Sequence, residues 1–383
     1  MSWSQAPVGG SRPEDYKTTH GPADATHRTV PGPTRSRVVA VSTSPSASEG
    51  PAVSGADWTA DILGPAYRRR ELPLGQDPDG EGIISATLVR HEEAPENPVA
   101  AMLVVHGLSD YFFHTHLAEF LAARGIATYG VDLRKCGRSR REGLTPHFTT
   151  DLERYDDELD QSLAVITSEH PDLPVLVAAH STGGLIVPLW LARRRDRGRL
   201  DPVVGLVLNA PWFQLDVPER ARVAFDATIR AIGALRPFYR LPLPSSDLYV
   251  TSTHSSHDGD FDYDMTLKPP GGVGVRAGWL AAIRQAQRRL QRGLDLPLPV
   301  LLLRSTASSH GKRGPAVDVD TDLILDVRSM ERFADRISTD VTDAPVAHAR
   351  HDVFLSRPDV LEMVFDRLGS WLDQTLSPRT KES

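Results

Sequence analysis

Apolar and polar positions are ordered in two ways along this chain, and the change comes near residue 55. Beyond that point, short extended runs lie at 67–74, 83–90, 100–105, 127–132, 175–179, 203–208, 299–303 and 339–344, most of them rich in Val, Leu, Ile and Ala. Runs of that length, flanked by Gly, Pro, Asp or Asn, predict strands. Between most of them, and after the last, apolar residues recur every three to four positions, at 116–124, 149–169, 185–195, 276–292, 329–337 and 358–372. That period predicts helices. Strand and helix therefore alternate, which builds βαβ units and a mainly parallel sheet with helices on both faces, fold class α/β.

Before residue 55 the chain reads differently. Val30-Pro31-Gly32-Pro33-Thr34 and Ser42-Thr43-Ser44-Pro45-Ser46-Ala47-Ser48 offer too little apolar surface to offset the entropy of ordering them. Residues 1–55 are expected to be a flexible leader, and 56–383 the folded domain. Glu14, Asp15 and Asp24, with no amphipathic repeat, argue against a targeting peptide. A second interruption lies inside the domain, at about 211–275. No strand pattern is visible there, Asp216-Val217-Pro218-Glu219 reads as a helix start with an acidic cap, and Phe225, Ile229, Ile232 and Leu235 follow at helical spacing. Such a stripe serves either as core or as the underside of a lid over a cleft. With Trp212, Phe213, Phe238 and Tyr239 close by, the insertion is expected to be a lid suited to an apolar ligand.

Composition narrows the function. With 383 residues, 40% of them hydrophobic and 24% charged, the chain can bury a full core. A formal charge of -7 lacks the basic footprint of a general nucleic-acid binder. Cys136 is the only cysteine, which excludes an intramolecular disulfide and any multi-cysteine zinc site. No stretch reaches the roughly eighteen apolar residues of a membrane span, and the chain does not open on a basic segment followed by an apolar one. The expected location is the cytoplasm.

The most informative segment is Ala179-His180-Ser181-Thr182-Gly183-Gly184, directly behind Val175-Leu176-Val177-Ala178. A strand that ends in a small residue, one hydroxyl and two glycines must turn sharply before the next helix, and the turn lifts its middle side chain clear of the sheet. Ser181 is the candidate nucleophile, with Ala179 where the G-x-S-x-G pattern has glycine. A serine that attacks a carbonyl needs a base and a carboxylate to orient it. The order nucleophile, acid, histidine, each on a loop at the carboxyl end of a strand, is available here. His351, followed by Asp352-Val353-Phe354 and a terminal helix, is the candidate base, with His348 its competitor. Asp318, Asp320, Asp322 and Asp326 all fall in one segment beyond Leu303, so the residues alone leave the acid open among them. An EF-hand in that segment would need Gly where Leu323 stands and Glu where Ser329 stands, so no metal is expected. Donors for a developing oxyanion are available in the Leu108 N–H, behind Val104-Val105-His106-Gly107, and the Thr182 N–H. His106 is expected to support its loop.

In this order, Val105-His106-Gly107, Asp132-Leu133-Arg134-Lys135-Cys136-Gly137-Arg138-Ser139, His180-Ser181-Thr182-Gly183-Gly184 and His351-Asp352-Val353 resemble the monoacylglycerol lipase and serine aminopeptidase-like branch of the α/β-hydrolase superfamily, over about residues 58–372. The resemblance implies an eight-stranded sheet, an inserted lid, no cofactor, and hydrolysis of esters or related acyl substrates. By the same pattern Asp322, in Asp322-Leu323-Ile324-Leu325-Asp326-Val327, takes the acid position. Cys136 is expected to be a packed small residue and not a second nucleophile. The expected protein is a serine hydrolase acting on a small-molecule acyl ester, such as a monoacylglycerol or lysophospholipid. An aminopeptidase on the same scaffold and a non-catalytic ligand-binding homologue are the alternatives.

Overall fold

The computed structural model describes residues 57–377 apart from 94, 96, 244, 245 and 313, so the expected leader lies outside the described residues. The elements run β1 (Thr59–Asp61), β2 (Gly64–Gln76), β3 (Ile83–His91), β4 (Ala100–Val105), α1 (Thr115–Ala122), β5 (Ile126–Asp132), α2 (Asp156–Glu169), β6 (Val175–His180), α3 (Gly183–Asp196) and β7 (Val203–Asn209). After β7 come α4 (Glu219–Leu235), α5 (Leu248–Thr251), α6 (Ala277–Leu290), β8 (Val300–Ser305), α7 (Val327–Phe333), β9 (Val341–Val346) and α8 (Pro358–Leu376). All strands join one sheet in the order β1-β2-β3-β5-β4-β6-β7-β8-β9. The pairs from β5 to β9 are parallel, and the three at the β1 end are antiparallel. The sheet is thus mainly parallel, as expected, but it has nine strands and not eight. The extra strand, β1, has three residues and folds straight back onto β2, with Asp61 paired to Gly64. Three residues are too few for an alternating pattern to show.

The central strands are apolar throughout because helices cover both faces. Alternate residues of β4 supply opposite cores. Ala101, Leu103 and Val105 join one cluster with Leu159, Trp190 and Ile283 of α2, α3 and α6, while Ala100, Met102 and Val104 join another with Leu117 of α1 and Val364 and Trp371 of α8.

The insertion after β7 contains α4 and α5. Its helix begins after Pro218 with no side-chain cap, so Asp216 does not cap it. The reason is spacing: Asp216 stands two residues before the cap position and its side chain is exposed. The apolar stripe is divided. Ile229 is buried in the main core and Phe225 and Ile232 are partly buried against it, whereas Leu235 is 82% exposed. No helix among the described residues is long and apolar enough to cross a membrane.

Candidate active site

Ser181 follows the last residue of β6 and has a φ of 51°, a left-handed conformation that costs a non-glycine residue on the order of 1–3 kcal/mol. Two backbone hydrogen bonds hold it there. Its N–H donates to Asn209 O at 2.9 Å, and its carbonyl accepts from Trp212 N–H at 2.9 Å. Close packing explains the two glycines that follow: a Cβ on Gly183 would lie 2.6 Å from His106 O, and one on Gly184 would lie 2.6 Å from Pro211 Cβ. Ala179 is a buried strand residue, so its methyl group is absorbed by the core.

His351 lies beyond β9 and is buried, with Nε2 3.0 Å from Ser181 Oγ and Nδ1 2.9 Å from Asp322 Oδ2. An ionised carboxylate only accepts, so Nδ1 carries the proton toward Asp322 and Nε2 accepts from the Ser181 hydroxyl. Asp322 is itself fixed: its Oδ1 accepts from the amides of Ile324 and Leu325, both at 2.8 Å. Its loop is closed at the neck, where Asp322 N–H donates to Ala307 O and Ser309 N–H donates to Asp322 O. The other three carboxylates are used elsewhere. Asp318 accepts from the Asp320 amide, Asp320 lies 3.4 Å from Arg350 and 3.3 Å from Arg357, and Asp326 caps α7. His348 is exposed.

Thr182 follows Ser181 directly, and Leu108 follows Gly107, where an added Cβ would lie 2.9 Å from Ser181 Cβ; among the described residues neither the Leu108 nor the Thr182 amide donates a hydrogen bond. His106 supports its loop, since Nε2 accepts from Leu133 N–H and Nδ1 donates to Gly107 O. The Asp132–Ser139 segment is a knot of buried ion pairs: Arg138 with Asp61 and Asp132, Arg134 with Glu158, and Lys135 with Asp77 and Glu81. Cys136 is buried there and burial pushes its thiol pKa up, which keeps it protonated and a poor nucleophile. A recess is lined by Leu108, Phe148, Val273, Val275 and Trp279 together with His147 and Arg276.

On the other side of His351 lies a buried polar group that the sequence did not signal. Asp352 accepts from His114 Nε2 at 2.8 Å and from Asn209 Nδ2 at 2.6 Å, and Asp110 accepts from Lys268 Nζ at 2.7 Å. Asp110, His180 and Asp352 each offer one potential metal-ligand atom, all within 4.8 Å of one another. Their charge is already met by the Lys268 ammonium and the donors of His114 and Asn209. Burial pushes the His180 pKa down to about 4, so the ring beside Ser181 is neutral at pH 7. One signal could have found Asn209: it is a lone polar residue at the carboxyl end of an apolar strand, and a buried polar group must find partners.

Residues 96–357 match the family described as serine aminopeptidase, S33. The chain is 24% identical over 281 residues to a monoacylglycerol lipase of Mycolicibacterium smegmatis, a match that covers 72% of this chain and 89% of that one. It is 25% identical over 212 residues to the phospholipase YtpA of Bacillus subtilis, covering 54% and 75%. With the monoglyceride lipase of Homo sapiens it shares 23% identity over 308 residues, covering 80% and 91%. Among solved structures, a soluble variant of the monoglyceride lipase of Saccharomyces cerevisiae in complex with a substrate analog superposes with a TM-score of 0.58 at 17% identity, over 84% of this chain and all of that one. At that identity the likeness speaks for the fold. The family match spans more than half of the chain and agrees with the sheet, and on that ground the chain belongs to the serine aminopeptidase S33 family of α/β-hydrolases, in its monoacylglycerol lipase-like branch.

Proposed function

We propose that this chain hydrolyses carboxylic esters through an acyl-enzyme on Ser181, and that its substrates are monoacylglycerol-like or lysophospholipid-like lipids. The observation that carries the reading is the unbroken series Ser181 Oγ, His351, Asp322, with contacts of 3.0 and 2.9 Å. His351 Nε2 takes the hydroxyl proton as Oγ bonds to the ester carbon, and Asp322 stabilises the imidazolium that results. The oxyanion that develops is met by the Leu108 and Thr182 amides. Collapse breaks the bond to the alcohol oxygen, which receives the proton from His351. Water then repeats the sequence on the acyl-enzyme and releases the acid.

The insertion of residues 211–275 is read as the lid of this site. Trp212 lies 6.0 Å from Trp279 of α6, which lines the recess, and Val223, Leu235, Phe238 and Tyr239 leave apolar surface exposed. These features suit an acyl chain. The single, buried cysteine fits a reducing compartment, and we place the enzyme in the cytoplasm on that ground.

A panel of p-nitrophenyl esters of graded chain length, run beside aminoacyl anilides, tests the reading. Turnover of esters and not anilides is expected, with Ser181→Ala reducing it by about a millionfold while thermal unfolding is unchanged. Near-normal turnover in folded Ser181→Ala, or faster cleavage of the anilides, would overturn it.

A further inference from the structure

Ser181 and His351 come from distant parts of the chain, yet one residue between them touches both of their supports. Asn209 ends β7 and is buried. Its carbonyl accepts from the Ser181 amide at 2.9 Å and from His180 Nδ1 at 3.1 Å. Its side chain reaches the other way: Nδ2 donates to Asp352 Oδ1 at 2.6 Å, and Oδ1 accepts from the Val353 amide at 3.1 Å. Asp352 and Val353 are the two residues that follow His351.

We propose that Asn209 is a positioning residue for the reaction, setting the distance between Ser181 Oγ and His351 Nε2 by clamping both of their loops to the end of β7. The Asp322 hydrogen bond fixes one atom of the imidazole, and the His180 and Tyr249 rings pack against it at 4.9 and 5.6 Å between centroids. The backbone that carries His351 sets where the ring starts from, and Asn209 holds this backbone on its carboxyl side. The amide can sit only one way round. Asp352 accepts only, so Nδ2 must face it, and the Val353 N–H then meets Oδ1. Burial alone would raise the Asp352 carboxyl pKa, but the hydrogen bond from His114 and the nearby Lys268 ammonium help hold it well below the usual range, so the bond from Asn209 is charge-assisted. His114 braces the same carboxylate from the loop before α1.

This inference rests on Ser181 and His351 being the reacting pair. Displacing a base by about 1 Å costs on the order of a hundredfold in rate, so Asn209→Leu should lower kcat by about ten- to a hundredfold while KM stays within about twofold. Turnover is expressed per active site, counted by fluorophosphonate labelling of Ser181, so that loss of folded protein does not count as loss of rate. The exchanged pair Asn209→Asp with Asp352→Asn keeps one amide-to-carboxylate hydrogen bond across the two loops and should recover kcat to within about tenfold of wild type. Should Asn209→Leu not fold, Asn209→Ser, which keeps a polar group at the site but is too short to span to Asp352, takes its place with the same expectation. A kcat per active site within about twofold of wild type in the folded single variant overturns the proposal, as does a kcat loss that the exchanged pair does not relieve. Absence of ester turnover in the wild type, or its persistence in Ser181→Ala, would overturn the functional reading instead.

Discussion

Asp322 meets His351 with one oxygen and two backbone amides with the other, so no orientation of a side-chain amide can serve all three donors. In Asp322→Asn either the loop loses its amide contacts or the imidazole is driven to the wrong tautomer, and turnover should fall by roughly ten-thousandfold with the fold retained. Asp318→Asn, at an exposed position, and Asp326→Asn, where Asn also caps a helix well, should each change stability by only about half a kcal/mol; Asp320→Asn weakens its pair with buried Arg350 and should cost somewhat more, but all three should leave turnover nearly intact. All four variants assayed on one ester decide the point: a large loss at one of the other three, with Asp322→Asn active, would misplace the acid. The sequence pointed to Ser181 and His351 because Ser181 directly follows β6 in a tight Gly-rich turn and His351 lies in the loop between β9 and the terminal helix. The residues left the acid open among four carboxylates, and only the family pattern favoured Asp322. Which of them reaches His351 is decided by the closure of the loop onto Ala307 and Ser309, a contact that no local pattern encodes.

The packing of α4 on α6 turns on one buried ion pair. Arg284 Nε donates to Asp226 Oδ1 at 2.7 Å, with side-chain exposures of only 2% and 10%. Removing Asp226 leaves the Arg284 charge buried with only the Gln287 side-chain carbonyl as partner, so Asp226→Ala should lose up to about 3 kcal/mol in urea unfolding, and Asp226→Ala with Arg284→Met should regain most of it. A single variant within about half a kcal/mol of wild type would show that Arg284 finds another partner at no cost. The helix itself was legible from its 3.6-residue period. The period does not say which turns face the core, and here Ile229 does while Leu235 does not. A charged pair buried between two helices reads, one residue at a time, as a solvated face, which is why Asp226 and Arg284 gave no signal.

Two buried histidines, His147 and His180, and the half-buried His116 give the whole molecule a pH dependence. Burial pushes His147 down to about 3, and His116 and His180 to about 4, all below the ordinary value of 6.5. The unfolded chain therefore binds protons below pH 6.5 that the native state refuses until much lower, so stability is complete above pH 6.5 and falls as pH drops. Each ring contributes about 1.4 kcal/mol per pH unit across that window. Urea unfolding at pH 7.5 and 5.5 should show the protein clearly less stable at 5.5, and equal stability at the two would contradict the burial of these rings. The fold class was legible because strand and helix alternate over nearly the whole domain, and the one strand missed, β1, is held by its pairing to β2 and not by any pattern of its own. Long-range assembly also limits when the chain can act. Ser181 and His351 are 170 residues apart, and His114 and Asp352 are 238 apart. Contacts between such distant residues form only after intervening loops have closed, and His351 is placed only once β9 has joined the edge of the sheet. A compact intermediate without β9 would bury much of its core and still lack the Ser181–His351 contact, so turnover by the proposed route would gauge completed folding.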